Sequence, residues 1–208
     1  MLTQYHIEIM LASLGDRFSP RAMSVIIRAN VNQDRLAGQV GHDEYHFDNN
    51  AFDKSYAYIE EQRALVVSSL KAGEAAPAWQ AFGRFLHTAQ DFYAHSNYIP
   101  LWLSRFGGGM LPPPPEVDPV SPEILHHPDL HSGKLYYPLE ILSFIPPLRK
   151  FVLPHLPADS HAHMNLDSPA QGFKFDYAMH AAVKRTVIEF EKTTTGFSEE
   201  MCRLFLGQ

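Results

Sequence analysis

Several features that would reveal the class of a protein are scarce in this chain of 208 residues. It has a single cysteine, Cys202, which excludes an internal disulfide framework and a cysteine-rich zinc finger. Basic residues number 17 against 23 acidic residues, for a net charge of −6, whereas a general nucleic-acid binder is normally basic. We therefore expect no stable binding to nucleic acid.

Segments for targeting or membrane insertion are also missing. No run of about 18 apolar residues is free of both charge and proline. The N-terminal stretch MLTQYHIEIMLASLGDRF has no basic region, long apolar core or small-residue cleavage site, so it does not fit a signal peptide. These absences predict a protein without a transmembrane helix, which is either cytoplasmic or exported by a non-classical route.

The sequence does show helical periodicity. The segment 3–14 carries apolar residues at the i, i+3, i+4, i+7 spacing of one helical face, and Ser19 followed by Pro20 is a typical helix start. Similar patterns predict helices over 3–14, 20–30, 52–71, 76–98 (ending before Pro100) and 174–193, with a short terminal helix from Ser198 to Phe205. The fold class that we predict is all-α, a bundle of several helices.

The character of the sequence changes between residues 105 and 168. The stretch FGGGMLPPPPEVDPVSP cannot form a regular helix because of its prolines, and YPLEILSFIPPLRKFVLPHLP is apolar but repeatedly interrupted by proline. We predict one domain over 1–208, in which 105–168 is a long proline-rich excursion from the helical body. A loop of this length in a compact domain is usually functional or mobile.

Histidine and aspartate form a regular pattern in the stretch FLHTAQDFYAHSNY. His87, Asp91 and His95 are each four positions apart, and a helix of about 3.6 residues per turn places such residues in one column. Two interpretations remain open on this evidence. The histidines are hydrogen-bonded core residues that pair with Asp91, or the column holds metal ions, which are efficient partners for a buried carboxylate.

Other segments contain residues of the types that could complete a metal site. They are His6 on the first helix, Asp34 and His46 before the third helix, His161, His163 and Asp167 near the end of the excursion, and His180 on the last long helix.

The motif LHTAQDFYAHSNY resembles the signature helix of the Het-C family, which is named for a heterokaryon incompatibility protein. The segments HFDN, MNLDSP and MHAAVKRTVIEF resemble other parts of that family in the same order. Het-C domains are distantly similar to the all-helical fold of zinc phospholipases C and single-strand-specific zinc nucleases. The resemblance implies a helical bundle that holds a cluster of two or three Zn²⁺ ions, although another divalent metal could serve.

The resemblance also assigns roles to residues. His87 and Asp91 match the central H-x-x-x-D helix, and Asp34 and Asp91 are the expected catalytic residues. The expected metal ligands are His6, Asp34, His46, His87, Asp91, His95, His161, His163, Asp167 and His180.

Two departures from the related enzymes affect this ligand set. Those enzymes use a processed N-terminus as a ligand of the third zinc, whereas this chain starts at Met1 without an evident cleavage site, so we do not expect a full third site. They also close the second site with an H-x-x-x-E pair, but Lys184 stands four positions after His180. The candidates for the replacement ligand are His161, His163 and Asp167, and the choice between the two histidines stays open.

The function that this set favours is a zinc-dependent phosphodiester hydrolase of phospholipase C type, which acts on phospholipid at a membrane surface. Clustered divalent ions bind a phosphate oxygen and activate water for attack on phosphorus. One alternative is a zinc nuclease, which the acidic composition disfavours. The other is a Het-C-like toxin or incompatibility module whose metal cluster is structural and which has no turnover.

A membrane contact is expected from residues 138–155. An apolar segment with a basic pair can enter a headgroup layer, although these side chains could instead cover the helical body. The basic pair is Arg149 and Lys150, and the apolar residues are Leu139, Ile141, Leu142, Phe144, Ile145, Phe151, Val152 and Leu153.

Overall fold

A computed structural model describes residues 1–39, 41–143 and 145–208, and over this part of the chain the fold is all-α. The predicted fold class is therefore confirmed. Two isolated bridges, Ser96 with Ser132 and Lys134 with Ser160, are the β-type pairings within the described ranges. None of the helices in these ranges is both long and apolar enough to cross a bilayer.

The helices follow one another along the chain with short connections outside the excursion. They are α1 Thr3–Leu14, α2 Pro20–Val31, α3 Leu36–Gln39, α4 Asp43–His46, α5 Phe52–Lys71, α6 Ala75–His95, α7 Tyr98–Ser104, α8 Pro122–Leu125, α9 Leu139–Ser143, α10 Pro146–Val152, α11 His161–Met164, α12 Lys174–Thr194 and α13 Glu199–Leu206.

The helix predicted over 76–98 is divided in two. α6 ends at His95, where the hydroxyl of Ser96 donates a hydrogen bond to the carbonyl oxygen of Phe92. α7 then begins at Tyr98 and contains Pro100 in its first turn. Proline is tolerated there because the first amide groups of a helix have no partner within it. Proline therefore does not end this helical stretch, contrary to the sequence prediction.

α6 is the central element of the fold. It packs against α2, α5 and α12, and every residue from Phe85 to His95 is buried. A helix that is enclosed on all sides normally carries apolar residues all round. The polar side chains of His87, Gln90, Asp91 and His95 must therefore find partners inside the protein.

The excursion contains four short helices rather than irregular chain alone. Proline opens α8 and α10, as expected for a residue whose missing amide hydrogen does no harm at a helix start. Of the apolar residues predicted to face a membrane, Val152 is buried and Leu153 is partly buried in a small cluster with Leu156 and Ala162. Phe144 lies outside the described residues.

Close packing of α6 on α2 depends on Gly83. A Cβ atom at this position would collide with the carbonyl oxygen of Ile26 and would lie 2.9 Å from the Cβ of Ala29. The two helices approach this closely because glycine has no side chain, and this approach helps to fix α6 in the centre of the bundle.

We predict that Gly83→Ala destabilises the protein by about 1–3 kcal/mol, because overpacking outweighs the better helix propensity of alanine. Urea unfolding measures the change in the free energy of unfolding. Gly109→Ala is the matched control, since its new Cβ would lie in an exposed turn, 3.2 Å from the nearest atom, the carbonyl oxygen of Phe106. Equal or greater stability of Gly83→Ala would contradict the packing described here.

Candidate metal centre

Asp91 is fully buried, and nitrogen atoms surround both of its carboxylate oxygens. Oδ1 lies 2.6 Å from the amino nitrogen of Met1 and 3.2 Å from Nε2 of His6. Oδ2 lies 2.8 Å from Nδ1 of His46 and 3.0 Å from Nε2 of His87. α1, α4 and α6 thus converge on one carboxylate.

His95 stands one turn further along α6, with its ring orientation fixed by the backbone. Its Nδ1 donates a hydrogen bond of 2.9 Å to the carbonyl oxygen of His46. A ring that donates from Nδ1 presents a lone pair at Nε2 when it is neutral. That Nε2 lies 3.1 Å from Oδ1 of Asp167 and 3.1 Å from the amino nitrogen of Met1.

His161 extends the cluster from the start of α11. Its Nδ1 lies 2.8 Å from Oδ1 of Asp48, and the same carboxylate oxygen is 3.7 Å from Nδ1 of His95. Asp48 and His161 are both buried. The excursion therefore contributes a buried ring to a site that is otherwise built on the helical body.

Two groups of side chains in this cluster have donor atoms spaced as around a metal ion. The first is His6, Asp34, His87 and Asp91, and the second is Asp48, His95 and His161. Within each group, one donor atom from every residue lies within 4.8 Å of the others. Asp91 is also close to the second group, since its Oδ1 is 3.9 Å from Nε2 of His95. Imidazole nitrogens and carboxylate oxygens are the donors that zinc uses in proteins without thiolate ligands.

Two buried imidazole nitrogens of the cluster, Nε2 of His46 and Nδ1 of His87, lack a hydrogen-bond partner among the described residues. Nε2 of His6 makes no well-aligned hydrogen bond but lies 3.2 Å from Oδ1 of Asp91. A buried polar atom without a partner costs roughly 1–3 kcal/mol. In both rings the nitrogen beside Asp91 is the other one, Nδ1 of His46 and Nε2 of His87, so the unpaired atoms do not face that carboxylate.

The orientation of His6 is set by a glutamine on α6. Oε1 of Gln90 accepts a hydrogen bond of 2.7 Å from Nδ1 of His6, which turns Nε2 toward Asp91. Gln90 is held in turn by Asn30 and Thr186 at 3.2 Å and 3.1 Å. Metal-binding histidines commonly donate their second nitrogen to a fixed acceptor of this kind.

The charge state of the cluster is strongly perturbed. Burial alone would raise the pKa of Asp91, but the amino group of Met1 and the neighbouring histidines hold it well below its usual range. Burial lowers the pKa of the Met1 amino group, and the carboxylates of Asp167, Asp91 and Asp34 outweigh this effect and raise it to about 11.

The imidazoles divide into two electrostatic classes. Burial lowers the pKa of His87 to about 4, so this ring is neutral at pH 7. Burial also acts to lower the pKa of His161, but the carboxylate of Asp48 outweighs it and raises the value to about 9. The pKa of His46 is raised in the same way, against its burial, by Asp91.

Most of the ligand positions predicted from the sequence come together in the structure. The cluster contains His6, Asp34, His46, His87, Asp91, His95, His161 and Asp167. Of the two histidines that the sequence left open as ligands, His161 faces the cluster, whereas His163 is exposed, with its Nε2 3.0 Å from the carbonyl oxygen of Leu153. Residues two apart on a helix point about 200° apart, so only one of the two can face the cluster.

His180 also lies outside the cluster, contrary to the prediction. α12 buries Tyr177, Ala178, Ala181 and Ala182, and His180 lies on the exposed face of the helix.

Three members of the cluster were missing from the predicted set: Asp48, Gln90 and the amino nitrogen of Met1. Asp48 reaches the cluster because Phe47 adopts a left-handed conformation, with φ of 58°, which is uncommon for a bulky residue. Asn49 and Asn50 are left-handed as well, and Asn50 exchanges hydrogen bonds with Ser132 of the excursion. The segment HFD was a usable signal for Asp48, whereas nothing local in the sequence indicated the conformation.

The family model described as the VWA7 N-terminal domain matches residues 5–114. The chain belongs to this family. It is 33% identical over 98 residues to von Willebrand factor A domain-containing protein 7 from Rattus norvegicus and 32% identical over 98 residues to that from Mus musculus. Each alignment covers 45% of this chain, and the chain spans 11% of the length of either relative. No solved structure matches the chain.

The assignment to the Het-C family is therefore wrong. The motif LHTAQDFYAHSNY on which it depended lies within the residues matched by the VWA7 N-terminal domain. A helix that must present His, Asp and His in one column on a buried face has little freedom in sequence, so the motif indicates a geometry rather than one family. The matched range includes the first donor group but ends before His161 and Asp167.

We predict that the purified chain binds about two zinc ions and that Asp91→Asn and His87→Gln each remove at least one of them, because they delete donors of the first group. Elemental analysis after dialysis measures the zinc content. His163→Gln and His180→Gln are matched controls, since both replace exposed histidines outside the cluster. Zinc-free wild-type protein, or equal zinc loss in the controls, would contradict the assignment.

We also predict that zinc binding releases protons at pH 7. His161, with a pKa raised from 6.5 to about 9, is protonated there in the metal-free protein and must lose its proton to bind a metal. Titration calorimetry in buffers of different ionisation enthalpy counts the protons. Release should decrease as the pH rises above about 9, and His161→Gln should release about one proton fewer at pH 7. An enthalpy that does not depend on the buffer would be the opposite result.

Proposed function

We propose that the cluster is a centre for two or three divalent ions, with zinc as the expected metal, and that it hydrolyses phosphodiesters. The observation that carries this proposal is the fully buried carboxylate of Asp91, which belongs to one donor group and adjoins another. When bound, divalent ions neutralise the charge on phosphate oxygens and lower the pKa of a water molecule toward 7. The side chains of the protein must then hold the ions, leave access for water and substrate, and accept a proton from the attacking water.

Access to the cluster distinguishes a catalytic site from a closed structural one. The side chains of His6, His87 and Asp91 have no exposure, whereas those of Asp34 and Asp167 are 16% and 21% exposed. Structural zinc sites are closed, and catalytic sites keep a position open for water and substrate. The partial exposure of these two carboxylates favours catalysis over a structural cluster without turnover.

The two partly exposed carboxylates, Asp34 and Asp167, flank the beginning of α1. The hydroxyl of Thr3 donates a hydrogen bond of 3.0 Å to Oδ2 of Asp34, and the amide of Leu2 donates one of 3.1 Å to the carbonyl oxygen of Asp167. Oδ1 of Asp34 lies 3.6 Å from Nε2 of His87. Water and substrate would reach the centre along this edge.

Asp34 is the residue that we assign as general base. It belongs to the first donor group, yet its carboxylate reaches solvent, so it can accept a proton from an attacking water and pass it on. Asp91 has no access to solvent and would serve as a ligand rather than as a base. Gln90 orients His6, which would be a further ligand in the first donor group.

The substrate class that we propose is phospholipid, cleaved as in phospholipase C. The acidic composition, with a net charge of −6, disfavours a long polyanion such as single-stranded DNA as substrate. An exposed apolar surface, described below, favours a lipid. A toxin or incompatibility module is not proposed, because the chain belongs to the VWA7 N-terminal domain family and not to the Het-C family.

We predict that the zinc-loaded protein hydrolyses bis(p-nitrophenyl) phosphate and p-nitrophenylphosphorylcholine, and that a chelator abolishes this activity until zinc is restored. Asp34→Asn should lower kcat by about 100-fold or more through loss of the base, whereas His163→Gln should leave kcat unchanged. Zinc analysis of each variant separates loss of the base from loss of metal. Turnover of single-stranded DNA without turnover of the choline ester would assign a nuclease, and no turnover by zinc-loaded protein would leave a structural cluster.

A further inference from the structure

An exposed apolar surface is concentrated on the two helices in the middle of the excursion. Half of the large hydrophobic side chains that are exposed in the described ranges lie between residues 137 and 151, with Ile141 51% and Phe151 64% exposed. We call residues 137–143 and 145–151 the α9–α10 surface. Besides Tyr137, its exposed apolar side chains are Leu139, Ile141, Leu142, Ile145, Leu148 and Phe151.

These side chains do not cover the helical body. α9 and α10 pack on each other, and the small buried cluster beneath them is formed by Val152, Leu156 and Ala162. Single exposed apolar residues are normal on a protein surface, but a contiguous group of them marks a contact site. The alternative that this segment simply caps the fold therefore does not account for its outer face.

The charges of the α9–α10 surface differ in sign from those of the whole protein. Glu140, Arg149 and Lys150 are its charged residues. Glu140 is fully buried, so the charges that reach solvent are basic, on a chain with a net charge of −6. Nζ of Lys150 lies 4.8 Å from the centre of the Phe151 ring. Apolar and aromatic side chains interspersed with basic ones are complementary to an anionic lipid headgroup layer.

Glu140 joins this surface to the metal centre. Its Oε1 accepts a hydrogen bond of 2.6 Å from the backbone amide of Ala162. The preceding residue is His161, whose ring contacts Asp48 in the second donor group. One buried carboxylate therefore connects the helix that presents Ile141 to the helix that begins with a candidate ligand.

We propose that the α9–α10 surface docks on an anionic lipid membrane, with Ile141 and Phe151 entering the headgroup layer and Lys150 contacting a lipid phosphate. The half-buried Arg149, whose Nη2 donates a hydrogen bond of 3.4 Å to the carbonyl oxygen of Ala162, adds positive charge beside it. The docking proposal is supported by the exposure and charge of this surface, and it does not depend on phosphodiester hydrolysis. The consequence that docking holds the metal centre near phospholipid substrate rests on the proposed function.

The test is sedimentation of the purified chain with vesicles of phosphatidylcholine, with and without phosphatidylserine. The wild type should sediment with the mixed vesicles, both in the presence of chelator and with zinc. Ile141→Asp and Phe151→Asp should each weaken the partition by about tenfold or more, since each withdraws an apolar side chain from the lipid. Leu65→Asp on α5 is the matched control, because Leu65 is similarly exposed outside this surface.

The basic residues are tested with the same vesicles. Lys150→Gln should weaken binding to phosphatidylserine vesicles by roughly fivefold, as expected for one basic residue near an anionic surface. Added salt should weaken the binding of the wild type in the same direction. Lys71→Gln, which removes an exposed lysine at the end of α5, should have no effect.

Each outcome supports or overturns a separate claim. Wild-type protein that stays in the supernatant with every vesicle composition, or control variants that weaken binding as much as Ile141→Asp, would overturn the docking proposal. Circular dichroism of each variant excludes misfolding as the cause. Vesicle binding without hydrolysis of the soluble choline ester refutes the hydrolase alone, and hydrolysis of that ester without vesicle binding refutes docking alone.

Discussion

Asp91 is a carboxylate without access to water, and its negative charge must be compensated by positive charge nearby. Removing an ion from water costs several kcal/mol even after the protein relaxes around it. The compensation comes first from the amino group of Met1, and ring nitrogens on α1, α4 and α6, which are separated by tens of residues in sequence, complete the surroundings of the carboxylate. The native packing of these helices and the charge balance of the centre therefore depend on each other.

Protons and metal ions compete for this environment. The carboxylates of Asp91 and Asp48, which raise the pKa of His46 and of His161, would also attract a divalent cation. A metal ion that bound His161 would displace the proton from its ring.

The sequence was sufficient to predict the polar column on the central helix α6, and it was less informative about side chains on the surrounding elements. The column of His87, Asp91 and His95 was visible because helical periodicity alone aligns them. The outward position of His180 was also visible in principle, since Tyr177, Ala178, Ala181 and Ala182 define the opposite, buried face of α12. His180 was predicted to be a ligand because it is a histidine, although its position in the helical pattern places it on the exposed face.

Other parts of the site depend on contacts that periodicity does not encode. Asp48 is directed inward by left-handed backbone at Phe47 and by hydrogen bonds that the side-chain oxygens of Asn49 and Asn50 accept from backbone amides of the excursion. His161 is favoured over His163 only because a helix of four residues, α11, begins there and is fixed by Glu140. The family assignment failed for a related reason, since a short motif of buried polar residues reports local geometry more strongly than ancestry.

The most direct test of the account is anomalous diffraction at the zinc absorption edge from crystals of this chain grown with zinc. The account predicts anomalous peaks at both donor groups, with one peak within about 2.0–2.2 Å of a carboxylate oxygen of Asp91. No anomalous peak near Asp91, with the amino nitrogen of Met1 as the sole cation between Asp91 and Asp167, would contradict the central claim.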